Sequence, residues 1–176
     1  MKVLYISSPP FFDLDLSFIK HMSKECDIHY LMDLPPYYLK YSALRINIQM
    51  LEGEIYNAKE FIELHKFKKY IPIKKFHVIN RPSRKSYSYS NLRLQTKIVK
   101  FIDKVNPDIV HCNNTLNRNF VYFLLTNKRK IILTVHDPFP HLGEASLKNR
   151  IIRKLNYSFI KNIILLKTHC TLCLYG

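Results

Sequence analysis

Polar side chains capable of acid–base or hydrogen-bonding chemistry stand directly after two apolar, β-branched runs of the sequence. His111, Asn113 and Asn114 follow the first run, and His136 and Asp137 follow the second. Ligands of parallel sheets bind beyond the carboxyl ends of the strands, and a histidine there can exchange a proton near neutral pH. We therefore predict that His111, Asn113 and His136 converge on one cleft at the carboxyl edge of a sheet.

A structural role is the alternative for several of these residues. Asn113, Asn114 and Thr115 have the side chains that cap helices, and this interpretation stays open for each of them. His136 is harder to explain in that way, because residues 131–135 form a buried apolar run and a cap does not need histidine. We therefore predict that His136 faces a ligand.

Several familiar chemical signatures are missing from the sequence. It has no glycine-rich dinucleotide fingerprint, no phosphate-binding P-loop and no nucleophile elbow. Cys170 and Cys173 form a C-x-x-C pair, but no second pair stands at a spacing that would complete a zinc site. We therefore predict neither a metal site, nor a redox centre, nor a bound cofactor.

The net charge of +15 indicates an anionic partner. Residues 59–104 carry thirteen basic and three acidic side chains, which would suit phospholipid headgroups, a lipid-linked phosphate or nucleic acid. A merely solvated basic surface is the alternative. The apolar runs are too short to span a bilayer, so we predict a cytoplasmic protein that can lie on the inner face of the cell membrane.

The elements that must position these residues follow from the hydrophobic pattern. Predicted strands cover residues 2–7, 27–34, 76–79, 108–112, 130–136 and 163–166. Predicted helices lie between them, at residues 13–25, 57–69, 90–105, 115–127 and 147–161, the first of them capped by Asp13 or Asp15, and a further short segment of unassigned type is predicted at residues 43–50. This alternation predicts an α/β fold: one Rossmann-like domain over residues 1–176 with a doubly wound, mainly parallel sheet of about six strands.

Three short segments in the second half resemble glycosyltransferase family 4. Residues 105–111 read Val-Asn-Pro-Asp-Ile-Val-His, residues 132–138 read Ile-Leu-Thr-Val-His-Asp-Pro, and residues 141–144 read His-Leu-Gly-Glu. Their order and spacing are similar to those of the family's N-terminal domain. The resemblance implies a retaining, metal-independent enzyme of the two-domain GT-B fold, which transfers sugar from a nucleotide-sugar to a glycan or lipid-linked acceptor, as in polysaccharide biosynthesis.

The resemblance also implies roles for individual residues. His136 matches the histidine that faces the interdomain cleft near the transferred sugar, and we predict a catalytic role for it. His111, Asp137 and Glu144 lie in the segments that resemble the family and are predicted to bind substrate, with Asp137 supporting the turn. Asn113 is predicted to bind substrate from its position at the end of its strand.

The sequence departs from the family pattern in two places. The loop at residues 8–13 lacks the glycines that approach the donor phosphates, and Glu144 is the last acidic residue, so the family's C-terminal glutamate pair is not found. We therefore expect the acceptor half of a truncated or split enzyme, with a separately encoded nucleotide-sugar half. The isolated chain is expected to be inactive.

Two alternatives to an enzyme remain open at this point. A non-catalytic module could bind an anionic membrane or a protein partner. For the membrane reading, the basic helix 147–161 offers its cationic side chains, which we predict to lie at the membrane surface: Lys148, Arg150, Arg153 and Lys154. Nucleic-acid binding is the less favoured alternative, because the sequence has no RNA-binding motif.

Overall fold

A seven-stranded, mainly parallel sheet forms the centre of the fold. The computed structural model describes residues 1–34, 51–83, 88–113 and 130–136, the single positions 147, 151 and 154, and the backbone of residues 162–165. The strands are β1 (Lys2–Ser7), β2 (Asp27–Leu34), β3 (Ile55–Asn57), β4 (Phe76–Asn80), β5 (Ile109–Asn113), β6 (Lys130–Val135) and β7 (Asn162–Leu165). Within the described ranges, two α-helices have defined bounds, α1 (Phe12–Met22) and α2 (Tyr89–Val105), and 3₁₀ segments span Pro9–Phe11, Ala58–Glu60, Ile62–Lys69 and Ile73–Lys75.

The order of the strands makes β1 the centre of a doubly wound sheet. The order is β3-β4-β2-β1-β5-β6-β7, and every pair is parallel except β3 with β4. From β1 the chain adds β2 and then β4 on one side, and afterwards β5, β6 and β7 on the other. Strand order therefore reverses between β1 and β5, which is where ligands bind in sheets of this kind.

The core has two layers, one on each face of the sheet. Side chains alternate along β1, so Tyr5 packs with Ile19 of α1 on one face, whereas Leu4 packs with Ile98 and Ile102 of α2 on the other. Helix α2 begins where the Ser88 hydroxyl accepts a hydrogen bond from the N–H of residue 91 at 3.3 Å. Burial of both faces explains why the parallel strands read as almost continuous apolar runs.

The predicted strands are confirmed, and the structure adds one. The six predicted strands correspond to β1, β2 and β4–β7, each within one residue at either end. The short antiparallel β3 was missed. The predicted segments 43–50 and 115–127 lie outside the described residues, and only positions 147, 151 and 154 of the predicted helix 147–161 are described, all three of them helical. Among the helices that the structure describes, none is long and apolar enough to cross a membrane.

The predicted helix at residues 57–69 is confirmed only in part, because the structure has two 3₁₀ segments there and no single continuous helix. Asn57 ends β3, and its side chain accepts a hydrogen bond from the N–H of Lys59 while the Glu60 carboxylate accepts one from the N–H of Asn57. This reciprocal cap closes a single 3₁₀ turn. Phe61 then takes an extended conformation (φ −125°, ψ 110°) and is buried, which separates that turn from the 3₁₀ segment Ile62–Lys69. The packing of Phe61 therefore overrides the helical pattern.

Candidate functional site

Three elements meet at the carboxyl edge of the sheet, beside the point where strand order reverses. His136 directly follows β6, and its Nε2 lies 2.5 Å from Oδ1 of Asn113, the last residue of β5. The ring of Phe11, in the loop after β1, stacks on the imidazole of His136 with centroids 4.2 Å apart and planes inclined by 11°. Asn113 and His136, two of the three residues that we expected to converge, are therefore in contact, and the aromatic ring of Phe11 packs beside them.

Asp15 lies beneath this pair, and the prediction that Asp13 or Asp15 caps the first helix is wrong. The cap position of α1 is Phe11, with no side-chain hydrogen bond, so neither Asp13 nor Asp15 caps the helix. Asp15 is instead only 1% exposed, within the apolar stripe of α1. It accepts hydrogen bonds from the hydroxyls of Tyr5 (2.9 Å) and Tyr30 (3.0 Å) and from Nδ2 of Asn113 (2.9 Å).

The electrostatics of this cluster follow from its burial. Burial raises the pKa of Asp15, and the hydrogen bonds from Tyr5, Asn113 and Tyr30 partly offset that effect. Burial, together with the charge of Asp15, raises the pKa of both phenols well above the ordinary value. The two tyrosines therefore stay protonated and can act as hydrogen-bond donors to the carboxyl group.

His111 lies on the same face of β5 as Asn113, but farther from the edge. Its ring packs edge-on against Tyr5 and Phe18, with centroids 4.7 Å and 5.8 Å away, and its Nε2 lies 2.8 Å from Oγ1 of Thr134. Burial lowers the pKa of His111 to about 4. The described contacts of His111 thus belong to the packing under α1, and its predicted substrate-binding role stays a prediction.

Replacing His111 with phenylalanine is expected to reduce the loss of stability in acid. The pKa of His111 falls from 6.5 to about 4 on folding, so the unfolded chain binds this proton first. The stability that the neutral ring contributes is therefore complete above pH 6.5 and declines toward pH 4. As the pH falls from 6.5 to about 4, the free energy of unfolding of His111→Phe should decrease by about 2–3 kcal/mol less than that of the wild type.

The measurement for His111 is urea unfolding at pH values on both sides of this window. Phenylalanine keeps the ring contacts with Tyr5 and Phe18 and cannot titrate. His21→Phe, at an exposed position on α1, is the matched control and should follow the wild type. Equal losses of stability in acid for His111→Phe and the wild type would contradict the assignment of a neutral, partly buried His111.

The other predicted site residues are only partly covered. Asp137 and Glu144 lie outside the described residues, as do Lys148, Arg150, Arg153 and the C-x-x-C pair. Lys154 is described, and it is helical and exposed. In the described part of the chain, no three His, Cys, Asp or Glu side chains are grouped so that they could hold a metal ion.

Comparison with solved structures identifies the fold. The chain superposes on UDP-N-acetylglucosamine 2-epimerases from Rickettsia bellii (TM-score 0.58, 16% identity, 96% of this chain and 39% of that one) and Neisseria meningitidis (0.58, 12%, 93% and 39%). The enzyme from Methanocaldococcus jannaschii is also similar (0.54, 14%, 93% and 38%). The chain thus spans about two fifths of the length of these proteins, and at such identities the likeness confirms the Rossmann-like fold alone.

Comparison of sequences identifies the family. No curated protein sequence matches the chain. Residues 56–173, about two thirds of the chain, match the sequence profile of Glycosyltransferase Family 4, and this range contains all three segments on which the resemblance rested. The chain therefore belongs to Glycosyltransferase Family 4.

Proposed function

We propose that the chain provides the acceptor side of sugar transfer from a nucleotide-sugar to a glycan or lipid-linked acceptor. The observation that carries this proposal is the pairing of His136 with Asn113 at the strand reversal, in a chain of this family. A nucleotide-sugar as donor is supported by the similar structure from Neisseria meningitidis, whose epimerase is bound to UDP-GlcNAc.

The loop after β1 supports the acceptor side over the diphosphate side. Holding a diphosphate there requires several free backbone N–H groups. Pro9 and Pro10 have no backbone N–H group. The N–H of Phe11 donates to the carbonyl of Ser8 at 3.1 Å, and the N–H of Phe12 donates to the carbonyl of Pro9. This loop is therefore poorly suited to bind the leaving diphosphate, whereas the rings of Phe11 and His136 form a surface on which an acceptor can lie.

His136 would act on a hydroxyl group of the acceptor or of the transferred sugar. A histidine positioned beside such a group typically contributes about 10²–10⁴-fold to the rate as an acid or base. Stabilisation of the leaving diphosphate is the larger electrostatic requirement, and it needs donors other than the described loop. Sugar transfer would then depend on both sets of groups.

A binding experiment with the full 176-residue chain tests the proposal. We expect a short-chain polyprenyl phosphate or a member of an oligosaccharide panel to shift the NMR signals of Phe11 and His136. His136→Ala should weaken that binding, and His21→Ala, exposed on α1, should not. Uridine and guanosine diphosphate sugars that shift these signals, while every acceptor fails to do so, would overturn the assignment to the acceptor side.

Binding to an anionic membrane is a second candidate function. Leu147 and Ile151 each have helical backbone and are 71% and 50% exposed, and Lys154 is also helical and exposed. In the predicted helix 147–161, the spacing of four residues would place Leu147 and Ile151 on one face. Apolar side chains beside cations would suit the boundary of a membrane. We expect sedimentation with phosphatidylglycerol vesicles, but not with phosphatidylcholine vesicles, and expect Arg150→Glu, Arg153→Glu and Lys154→Glu together to abolish it. Unchanged sedimentation of that variant would rule this function out.

A further inference from the structure

We propose that Asp15 is a positioning residue: acting through Asn113, it sets which ring nitrogen of His136 carries the proton. The importance of this for catalysis rests on the proposed function, in which His136 contacts the substrate. The geometry itself is independent of that function. It consists of a chain of hydrogen bonds that runs from a buried carboxyl group through an amide to the imidazole at the edge of the sheet.

The amide of Asn113 can fit this chain in one orientation. Oδ1 of Asp15 lies 2.9 Å from Nδ2 of Asn113, and Oδ1 of Asn113 lies 2.5 Å from Nε2 of His136. A carboxylate oxygen accepts hydrogen bonds, so the amide must turn its NH₂ toward Asp15 and its oxygen toward the histidine. An amide oxygen only accepts, so Nε2 of His136 must carry a hydrogen. In the neutral ring, Nδ1 is then the proton-accepting nitrogen.

Asp15 is itself held firmly enough to impose this orientation. Its two oxygens accept hydrogen bonds from Tyr5 and Tyr30, and almost none of its surface is exposed. Hydrogen bonds in such a poorly solvated site are stronger than the same bonds in water. A proton on Oδ2 of Asp15, which its raised pKa favours, leaves Oδ1 as the acceptor for Asn113 and therefore preserves the orientation.

The ring of Phe11 completes the restraint on His136. Stacking at 4.2 Å fixes the plane of the imidazole, and Asn113 fixes its tautomer. A substrate hydroxyl would therefore meet a ring whose orientation and protonation are already set. Such preorganisation lowers the cost of aligning the reacting groups.

A second histidine of the same chain provides an internal contrast. Oδ1 of Asn57 accepts a hydrogen bond from the N–H of Lys59, and its Nδ2 donates to the carbonyl of Lys74 at 2.8 Å. The Nδ2 group also lies 3.0 Å from Nε2 of His77. Nε2 of His77 must therefore accept, which places the hydrogen of His77 on Nδ1. His77 and His136 therefore carry their hydrogens on opposite ring nitrogens.

Long-range proton–nitrogen NMR on the nitrogen-15-labelled full chain measures both tautomers directly, near neutral pH and without substrate. We expect His136 to be protonated on Nε2 and His77 on Nδ1, with His136→Gln and His77→Gln used to assign the signals. In Asp15→Leu, the amide of Asn113 can rotate, so the tautomer ratio of His136 should shift toward Nδ1–H by about tenfold. Asp15→Asn keeps an acceptor for Asn113 and should retain the ratio of the wild type.

A further variant tests whether the effect of Asp15 on His136 passes through Asn113. Tyr30→Phe removes another bond to Asp15 and leaves Asn113 in place, so the tautomer of His136 should not change. Finding the hydrogen of wild-type His136 on Nδ1 would overturn the proposal. This measurement uses the wild-type protein, so it does not depend on the stability of any variant. An unchanged ratio in folded Asp15→Leu would overturn it as well. Since no substrate is added, failure of acceptor binding would count against the proposed function and leave the tautomer assignment intact.

Discussion

Replacing Asp15 with leucine is expected to lower the free energy of unfolding by about 3–5 kcal/mol. The hydroxyls of Tyr5 and Tyr30 and the amide of Asn113 all donate to this carboxyl group, and all three residues are buried. Without the acceptor, each donor loses a partner in a region that water does not replace, and each loss typically costs about 1–3 kcal/mol. Urea unfolding followed by circular dichroism measures the difference.

Asp13→Leu is the matched control for Asp15. Both residues lie in the first turn of α1, but Asp13 is exposed, so its replacement should change stability by about 0.5 kcal/mol or less.

The stability that Asp15 contributes should also depend on pH. Because burial raises the pKa of Asp15 above 3.8, the folded state keeps this proton longer, and the carboxyl group stabilises the fold most at low pH. The difference in the free energy of unfolding between the wild type and Asp15→Leu should therefore become smaller as the pH rises. A loss similar to that of Asp13→Leu would contradict the role of Asp15.

Replacing Arg81 with methionine is expected to lower the free energy of unfolding by a similar amount, about 3–5 kcal/mol. Arg81 follows β4, and its guanidinium donates to both oxygens of Asp33 in β2: Nε at 2.8 and 3.1 Å, and Nη2 at 2.6 Å. The two side chains are each only 2% exposed. The variant would leave the Asp33 carboxylate buried without its guanidinium, which is far more costly than the loss of a surface ion pair.

Two further variants make this prediction sharp. Arg81→Met combined with Asp33→Leu should recover most of the lost stability, because a buried ion pair and an apolar pair of similar volume are often close in free energy. Lys75→Met removes a more exposed pair, in which Lys75 lies 2.7 Å from Asp27, and should cost about 1 kcal/mol or less. A double variant that loses as much as the sum of the single variants would show that the two charges act separately.

Six of the seven strands and the family could be predicted from short stretches of the sequence. Strands on which helices pack from both sides must be apolar at nearly every position, so the runs at β1, β2, β5 and β6 were evident without coordinates. His136 stood out for the same reason, as a polar residue directly after such a run. Local composition is sufficient for these features, because each depends on residues that are close together in the chain.

The contacts that hold the site together became evident only from the folded chain. Asp15 is paired with Asn113, which is 98 positions away in the chain, and the pattern around it indicated a helix cap. Alternation placed His111 at the end of a strand, but only the position of Phe18 on α1 shows that this ring is packed beneath the helix. Phe61 likewise replaced a predicted helix by 3₁₀ turns through its burial. These outcomes depend on which distant side chains meet when the sheet and α1 pack together, and hydrophobic periodicity carries no information about that choice.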